Sequence, residues 1–213
     1  MSLKGKKILI SYGPTAVPID RVRVISNMSS GAMGRCLITA LRKKKARVTV
    51  LEGLVREPWR SPGVEKKRFF FYEDLKKLIN QELKQNYAVF IHAAAVCDYR
   101  VKKVRRGKIR SGQKDLHLDL VPTPKLIRQV KKKAPDIFLV GFKLEAEGRQ
   151  SRLKNKALDL IRENRCDLAV ANAVTASGQY SALIVDRDKN ILARADSRPL
   201  LARQLIQQIE RAL

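Results

Sequence analysis

What most constrains this chain is a regular exchange between short apolar runs and segments whose apolar residues return every three to four positions. Residues 7–12 (KILISY), 47–51 (RVTVL), 88–94 (AVFIHAA), 137–142 and 168–171 read as buried strands, and 69–72 as a further one. The run 88–94 is apolar without alternation, as in parallel sheets buried on both faces. Between the runs lie helical patterns. One starts near Ser30, capped by Ser29 or Ser30, with Met33, Leu37, Ala40 and Leu41 on one face. Others span 73–85, through Leu75, Leu78, Ile79 and Leu83, and about 149–164. The chain closes with a hairpin-like pair, 182–185 and 191–193, turned at 188–190, and a helix from about Arg198. Such alternation predicts an α/β fold: a mainly parallel sheet with helices on both faces and right-handed crossovers. Ligands are then expected outside the carboxyl ends of the strands.

A length of 213 residues suits one domain, 1–213, with a large core. The charge is unusual, for 45 Lys and Arg against 20 Asp and Glu leave +25. That favours polyanionic partners, among them nucleic acid, nucleoside triphosphates and phosphorylated metabolites. Yet the basic residues are spread along the chain, as at Lys131, Lys132 and Lys133, without a homeodomain, zinc-finger or RNP signature. Most therefore read as solvated surface, and nucleic-acid binding is expected to be weak and non-specific. Cys36, Cys97 and Cys166 form no CxxC pair and read as buried thiols, while His92 and His117 are too few for a metal cluster. No apolar run approaches the roughly 18 residues of a membrane span. Residues 1–7 lead straight into the first strand, so a cytoplasmic protein without signal peptide is expected.

Two segments carry chemistry. Residues 11–34, SYGPTAVPIDRVRVISNMSSGAMG, join the first strand to the first helix. Gly13, Thr15, Ser29, Ser30 and Gly31 make a glycine- and hydroxyl-rich path along which backbone N–H groups can face an anion, helped by the helix dipole. The loop has neither GK[ST] nor GxGxxG. It reads as an anion or nucleotide site, with a purely structural strand-to-helix turn as the plainer alternative. The second segment, about 99–120, opens with a basic, polar stretch containing Gly107 and Gly112. It continues with Leu116, Leu118 and Leu120 alternating with polar residues, as in a half-exposed strand. We read it as a mobile basic flap crossing an edge of the sheet, since long loops inside compact domains are commonly functional.

The stretch from Pro18 to Asn27 (PIDRVRVISN), continued by Ser29-Ser30-Gly31 and Met33-Gly34, resembles the signature of the phosphopantothenoylcysteine synthetase family, D-x-V-R-x-I-S-N-x-S-S-G-x-M-G. Further resemblances follow in order. AAAVCDY at 93–99 is similar to A-A-V-A-D-Y, and Lys108-Ile109-Arg110 to the K-I-K opening the family's flap. LVPTPKLI at 120–127 is similar to N-P-D-I or T-P-D-I, GFKLE at 141–145 to G-F-K-L-E, and DLAVAN at 167–172 to D-L-I-V-A-N. The resemblance implies a Rossmann-like fold and a ligase that joins 4'-phosphopantothenate to cysteine through an acyl-nucleotide, using CTP or ATP with Mg²⁺. It also implies a homodimer. Relatives often carry this ligase behind a flavin-containing decarboxylase. Here the chain opens on the ligase's first strand, so ligase activity without flavin is expected, with a decarboxylase as a possible separate partner.

By the same resemblance, Asn27 holds the acyl-nucleotide carbonyl, Arg23 supports the second half-reaction and Lys108 closes over the phosphates. Asp98 accepts from the ribose. His92, Ala93 and Ala94 line the nucleotide site through their backbone, as does the turn Val121, Pro122, Thr123 and Pro124, and Phe142 packs on the base. The His92 side chain itself reads as a hydrogen-bonded core histidine. The sequence also departs from the family. Counting back from Asp167, positions that hold two lysines in CTP-using relatives are Leu160 and Asn164, with Lys154 and Lys156 out of register, and the loop 177–181 is short. A basic nucleic-acid-binding protein with a decayed nucleotide site is the other reading. A nicotinamide-dependent oxidoreductase fails for lack of the glycine fingerprint, without which Glu52 after the second strand has no such meaning.

Overall fold

The computed structural model describes residues 2–55, 62–112, 114–146 and 148–213, which leaves Gln113 of the flap outside the described residues. In chain order the elements are β1 (Lys7–Pro14), β2 (Ala16–Pro18), β3 (Val24–Ser26), α1 (Ala32–Lys43), β4 (Arg47–Glu52), β5 (Glu65–Arg68) and α2 (Tyr72–Glu82). Then come β6 (Val89–Ala95), β7 (Tyr99–Val101), β8 (Leu120–Pro122), a 3-10 turn (Leu126–Gln129) running into α3 (Val130–Lys133), and β9 (Phe138–Glu145). The chain ends with α4 (Gln150–Asn164), β10 (Leu168–Val174), β11 (Tyr180–Asp186), β12 (Ile191–Ala195) and α5 (Arg198–Ala212).

Eight strands form one sheet in the order β12-β11-β10-β9-β6-β1-β4-β5. From β10 to β5 all neighbours are parallel, and β11 and β12 close one side as an antiparallel hairpin. Side-chain alternation divides the core in two. Ile8, Ile10 and Tyr12 of β1 meet Leu37, Ile38 and Leu41 of α1 and Leu201, Leu205 and Ile209 of α5. Leu9, from the opposite face of the same strand, meets Leu75 and Ile79 of α2 and Leu153, Ala157 and Ile161 of α4. Burying each such side chain contributes about 1.5–3 kcal/mol, so both faces need helices. Approach is close at Gly34, where a Cβ would stand 2.2 Å from Cγ of Tyr12. Only a glycine lets α1 lie so near the Tyr12 ring.

Several expectations need correction. The strand expected at 69–72 lies earlier, at Glu65–Arg68, a segment (EKKR) with no apolar residue. Two buried carboxylates make that possible. Lys66 donates to Glu52 at 2.9 Å on one face and Lys67 to Glu82 at 2.7 Å on the other, while Tyr12 and Tyr87 donate their hydroxyls to the same two acids. Burial, then the Glu82 bond, pushes the Tyr87 hydroxyl up to about 12. A lysine-rich edge strand also resists pairing with another chain. The helix expected at 73–85 spans Tyr72–Glu82. In the flap, Leu116 and Leu118 are not in a strand, and only Leu120–Pro122 pairs, antiparallel with Tyr99–Val101. The flap, expected to cross an edge of the sheet, follows instead from the interior strand β6. It rests on the β2–β3 hairpin, which follows the central strand β1. Finally, α4 runs back from the carboxyl end of β9 and stops just before β10, so Asn164 and Leu160 lie toward the amino end of the sheet. Asn164 donates to the Leu160 carbonyl, and Leu160 packs on Gly141. Hydrophobic packing and helix termination account for both departures.

Candidate active site

The strand order reverses between β1 and β6: the chain passes from β1 outward through β4 to β5, and from β6 the other way through β9 to β10. Ligands of open α/β sheets sit at the carboxyl ends of such a pair. Here β6 follows β1 as far as Pro14 opposite Ala95, whereas its pairing with β9 stops at His92 opposite Gly141. Past His92 the β6 and β9 strands part, and Ala93 and Ala94 lie at that parting. Phe142 is on the β9 side, half-buried against the core shared with α1 and α5.

The rim is tied together by the end of β6. The Ala95 carbonyl accepts from Thr15 N at 3.2 Å and from the Asn27 side-chain amide at 3.0 Å. The Thr15 hydroxyl accepts from Cys97 N at 2.9 Å, and its carbonyl accepts from Ser26 at 3.0 Å. Asn27 is thus held by one of its two amide hydrogens, which leaves the other for a ligand. Gly13, the residue before the last of β1, has positive φ and is buried against Val55 and Gly53. Gly31, at φ 72°, turns the chain into α1. The first turn of α1 holds Arg35 and no acid, so the positive end of the helix dipole is reinforced. Ser30 accepts from Ala32 N at 3.3 Å, and Ser29 lies half-buried beside it.

Asp98, in the turn after β6, is exposed and ion-paired with Lys125, while its carbonyl accepts from Thr123 N at 2.8 Å. That bond brings the turn of Val121, Pro122, Thr123 and Pro124 to the Asp98 side of the rim. The Thr123 hydroxyl is buried and has no hydrogen-bond partner among the described residues, and the Pro124 carbonyl accepts from Tyr72 at 2.9 Å. His92 turns its ring into the sheet face and shares a 2.6 Å hydrogen bond with Ser11; burial pulls it down to about 4, so it is neutral. Its side chain belongs to the frame.

Two contributors escaped sequence reasoning. Asp20, the only acid between residues 11 and 34, is buried and accepts from Val22 N and Arg23 N, both at 2.8 Å, from the Arg23 guanidinium at 2.9 Å and from Ile109 N at 3.0 Å. The Ile109 bond, with those of Val22 and Arg23, holds its carboxyl below the usual carboxylate range. Arg23 itself also donates to the Ile109 carbonyl at 3.2 Å. This places Lys108, exposed and next in sequence to Ile109, beside the hairpin. A solitary acid among apolar and basic residues was the available signal. Lys125, where the resembled motif has an acid, is the second. Two hollows of about 300 and 360 Å³ lie elsewhere, on the outer face of α2 and between α4 and the β11–β12 hairpin.

Residues 3–213 match the model of the DNA/pantothenate metabolism flavoprotein C-terminal domain. The chain belongs to that family. It is 38% identical over 218 residues to the coenzyme A biosynthesis bifunctional protein CoaBC of Thermococcus kodakarensis, covering all of this chain and 53% of the relative. The chain thus spans about half the length of the curated relatives it matches. Among solved structures, a DNA/pantothenate metabolism flavoprotein from Streptococcus pneumoniae superposes with a TM-score of 0.87 at 27% identity, covering 98% of this chain and 100% of that one. The C-terminal domain of a coenzyme A biosynthesis bifunctional protein CoaBC gives 0.80 at 26%, covering 98% and 96%. The synthetase resemblance read from the motifs therefore holds at the level of family, and the Rossmann-like α/β fold of the family is the fold seen here. Among the described residues no group of three or more His, Cys, Asp or Glu is placed to hold a metal, and no helix is long and apolar enough to cross a membrane.

Proposed function

We propose that this chain ligates 4'-phosphopantothenate to cysteine at the expense of a nucleoside triphosphate, CTP in preference to ATP, as a step of coenzyme A biosynthesis. One observation carries the reading: at the sheet's switch point, the Asn27 amide and the acid-free start of α1 share the rim with Asp98, and a lysine-bearing flap rests on the adjoining hairpin. The pantothenate carboxylate attacks the α-phosphorus and pyrophosphate leaves, giving an acyl-nucleotide. The cysteine amine then attacks the acyl carbon, and the nucleoside monophosphate leaves with the bonding pair. The α1 start and Lys108 neutralise phosphate charge; Asp98 orients the ribose once Lys125 yields it; the remaining Asn27 hydrogen donates to the acyl oxygen as it becomes negative. With no resident acidic cage among the described residues, Mg²⁺ enters as part of the nucleotide substrate.

The surface around the β2–β3 hairpin, where Val22 in its turn is 63% exposed and Met28, just past β3, is fully exposed, is the surface we assign to a second copy of the chain. Pyrophosphate release with CTP or ATP, 4'-phosphopantothenate and cysteine tests the reading. Release with CTP that exceeds release with ATP is expected. Faster turnover with ATP overturns the nucleotide preference alone, and no release with either overturns the ligase.

A further inference from the structure

The flap is exposed throughout residues 102–112 with one exception, Ile109, which is half-buried. Both polar groups of that residue's backbone are held. Its N–H donates to Asp20 Oδ2 at 3.0 Å, and its carbonyl accepts from Arg23 at 3.2 Å. Asp20 and Arg23 are themselves joined at 2.9 Å, so the pair forms a two-pronged clamp on one residue. A buried carboxylate with four donors cannot lose one cheaply, because bonds to an ionised acceptor are the strong ones. One weaker tie lies nearby, from Arg105 N to the Ile19 carbonyl at 3.1 Å. Gly107 and Gly112 flank the clamped segment, and neither has a neighbour within 4 Å of where a Cβ would stand. The segment is therefore loose at both sides and fixed at Ile109.

We propose that Asp20 is a positioning residue which, with Arg23, sets where Lys108 stands relative to the site by holding the next residue. This rests on the ligase reading for its kinetic consequence, but the clamp itself does not. Arg23 then acts through the flap, since its guanidinium spans an acid of the hairpin and a carbonyl of the flap. Asp20→Asn keeps the shape but replaces a carboxylate that accepts from four donors with an amide that offers only one acceptor atom.

Hydrogen exchange of the intact chain, free of ligands, reads the clamp directly. The held flap amides, Ile109 and the nearby Arg105, should exchange about tenfold faster or more in Asp20→Asn, with the β1 and β6 amides unchanged. Ile109→Pro, which removes the donor from the flap side and leaves the hairpin intact, should loosen the Arg105 amide equally. This variant keeps the test open if Asp20→Asn disturbs the hairpin. Unchanged flap exchange in Ile109→Pro overturns the clamp. In the ligation assay, Asp20→Asn should lower kcat and have little further effect in a Lys108→Gln background. Full additivity of the two substitutions overturns positioning through Lys108. A wild-type chain that releases no pyrophosphate would sink the ligase reading and leave the exchange result standing.

Discussion

The two sides of the site are built on opposite terms. On the strand side, Thr15, Ser26, Asn27, Ala95 and Cys97 bond to one another at the end of β1 and β6, and Gly34 brings α1 onto Tyr12. On the flap side, solvent-exposed cationic residues hang from the paired ends β7 and β8 and from the Ile109 contact. The contrast teaches how labour is divided. If the chain ligates as proposed, groups that meet the acyl carbon within a fraction of an ångström belong on the frame, where neighbours fix them. On the same reading, a charge that admits a triphosphate and then covers it belongs on a segment that costs little to move.

Asn27→Asp should break the strand side most severely. A carboxylate there faces the Ala95 carbonyl without a hydrogen to donate, and it repels the oxygen that gains charge as cysteine attacks. Loss of one such donor typically slows a step by about 10²–10³-fold. The first half-reaction, whose charge develops on phosphate, should suffer less, so the acyl-nucleotide accumulates and is visible by mass spectrometry of quenched reactions. A variant that passes cysteine at the wild-type rate would remove Asn27 from the chemistry.

Lys108→Gln should show the opposite signature. Pyrophosphate release should fall roughly a hundredfold, while the melting temperature stays put, because an exposed loop lysine contributes within about 0.5 kcal/mol to stability. Lys103→Gln, with the same exposure and no neighbouring clamp, should change neither. Equal small effects at both positions would make the flap a diffuse basic surface.

What could be read beforehand follows the same division. β1, β4 and β6 were legible because a strand buried on both faces must be apolar. β5 was not, since Lys66 and Lys67 owe their places to Glu52 and Glu82, carboxylates that only the fold brings near. The apolar run of Phe69, Phe70 and Phe71 carries the stronger strand pattern in the sequence. The β2–β3 hairpin has three-residue strands, too short for any period to show. Motif resemblance supplied Asn27, Arg23 and Lys108 by name but no contact between hairpin and flap, because sequence records neither the Ile109 N–H nor what faces it.

Acid should separate the two sides by stability. His92 is neutral in the folded chain, with its value near 4 against about 6.5 when unfolded. Between those values the unfolded chain binds the extra proton, so stability falls as pH drops through the window and is fully present above it. From pH 7 to pH 5 the loss from this group amounts to about 2 kcal/mol. Denaturant unfolding at both pH values checks it, with His92→Gln as the variant from which this part of the slope should vanish. A slope unchanged in His92→Gln would mean that the acid sensitivity arises elsewhere.

The smallest effect on stability should come from Lys125→Ala, and its value lies in where the effect appears instead. Lys125 and Asp98 are each more than half solvent-exposed or close to it, at 50% and 57% of their side chains. An ion pair so placed contributes a few tenths of a kcal/mol at most, so folding should not register its loss. Asp98, however, cannot accept fully from a ribose while its carboxylate is engaged by a lysine. Binding nucleotide must then either part the pair or turn Lys125 toward the phosphates. If the pair simply competes, Lys125→Ala lowers the nucleotide KM by a factor of about two, the size of a surface pair, and leaves kcat alone. If Lys125 moves on to the phosphates, the same variant raises KM, more steeply at low salt than at high, as expected of a screened charge. Titrating the triphosphate at two salt concentrations distinguishes the cases. A KM indifferent to the substitution at both would show that Asp98 does not meet the nucleotide, and would move the ribose to another part of the rim.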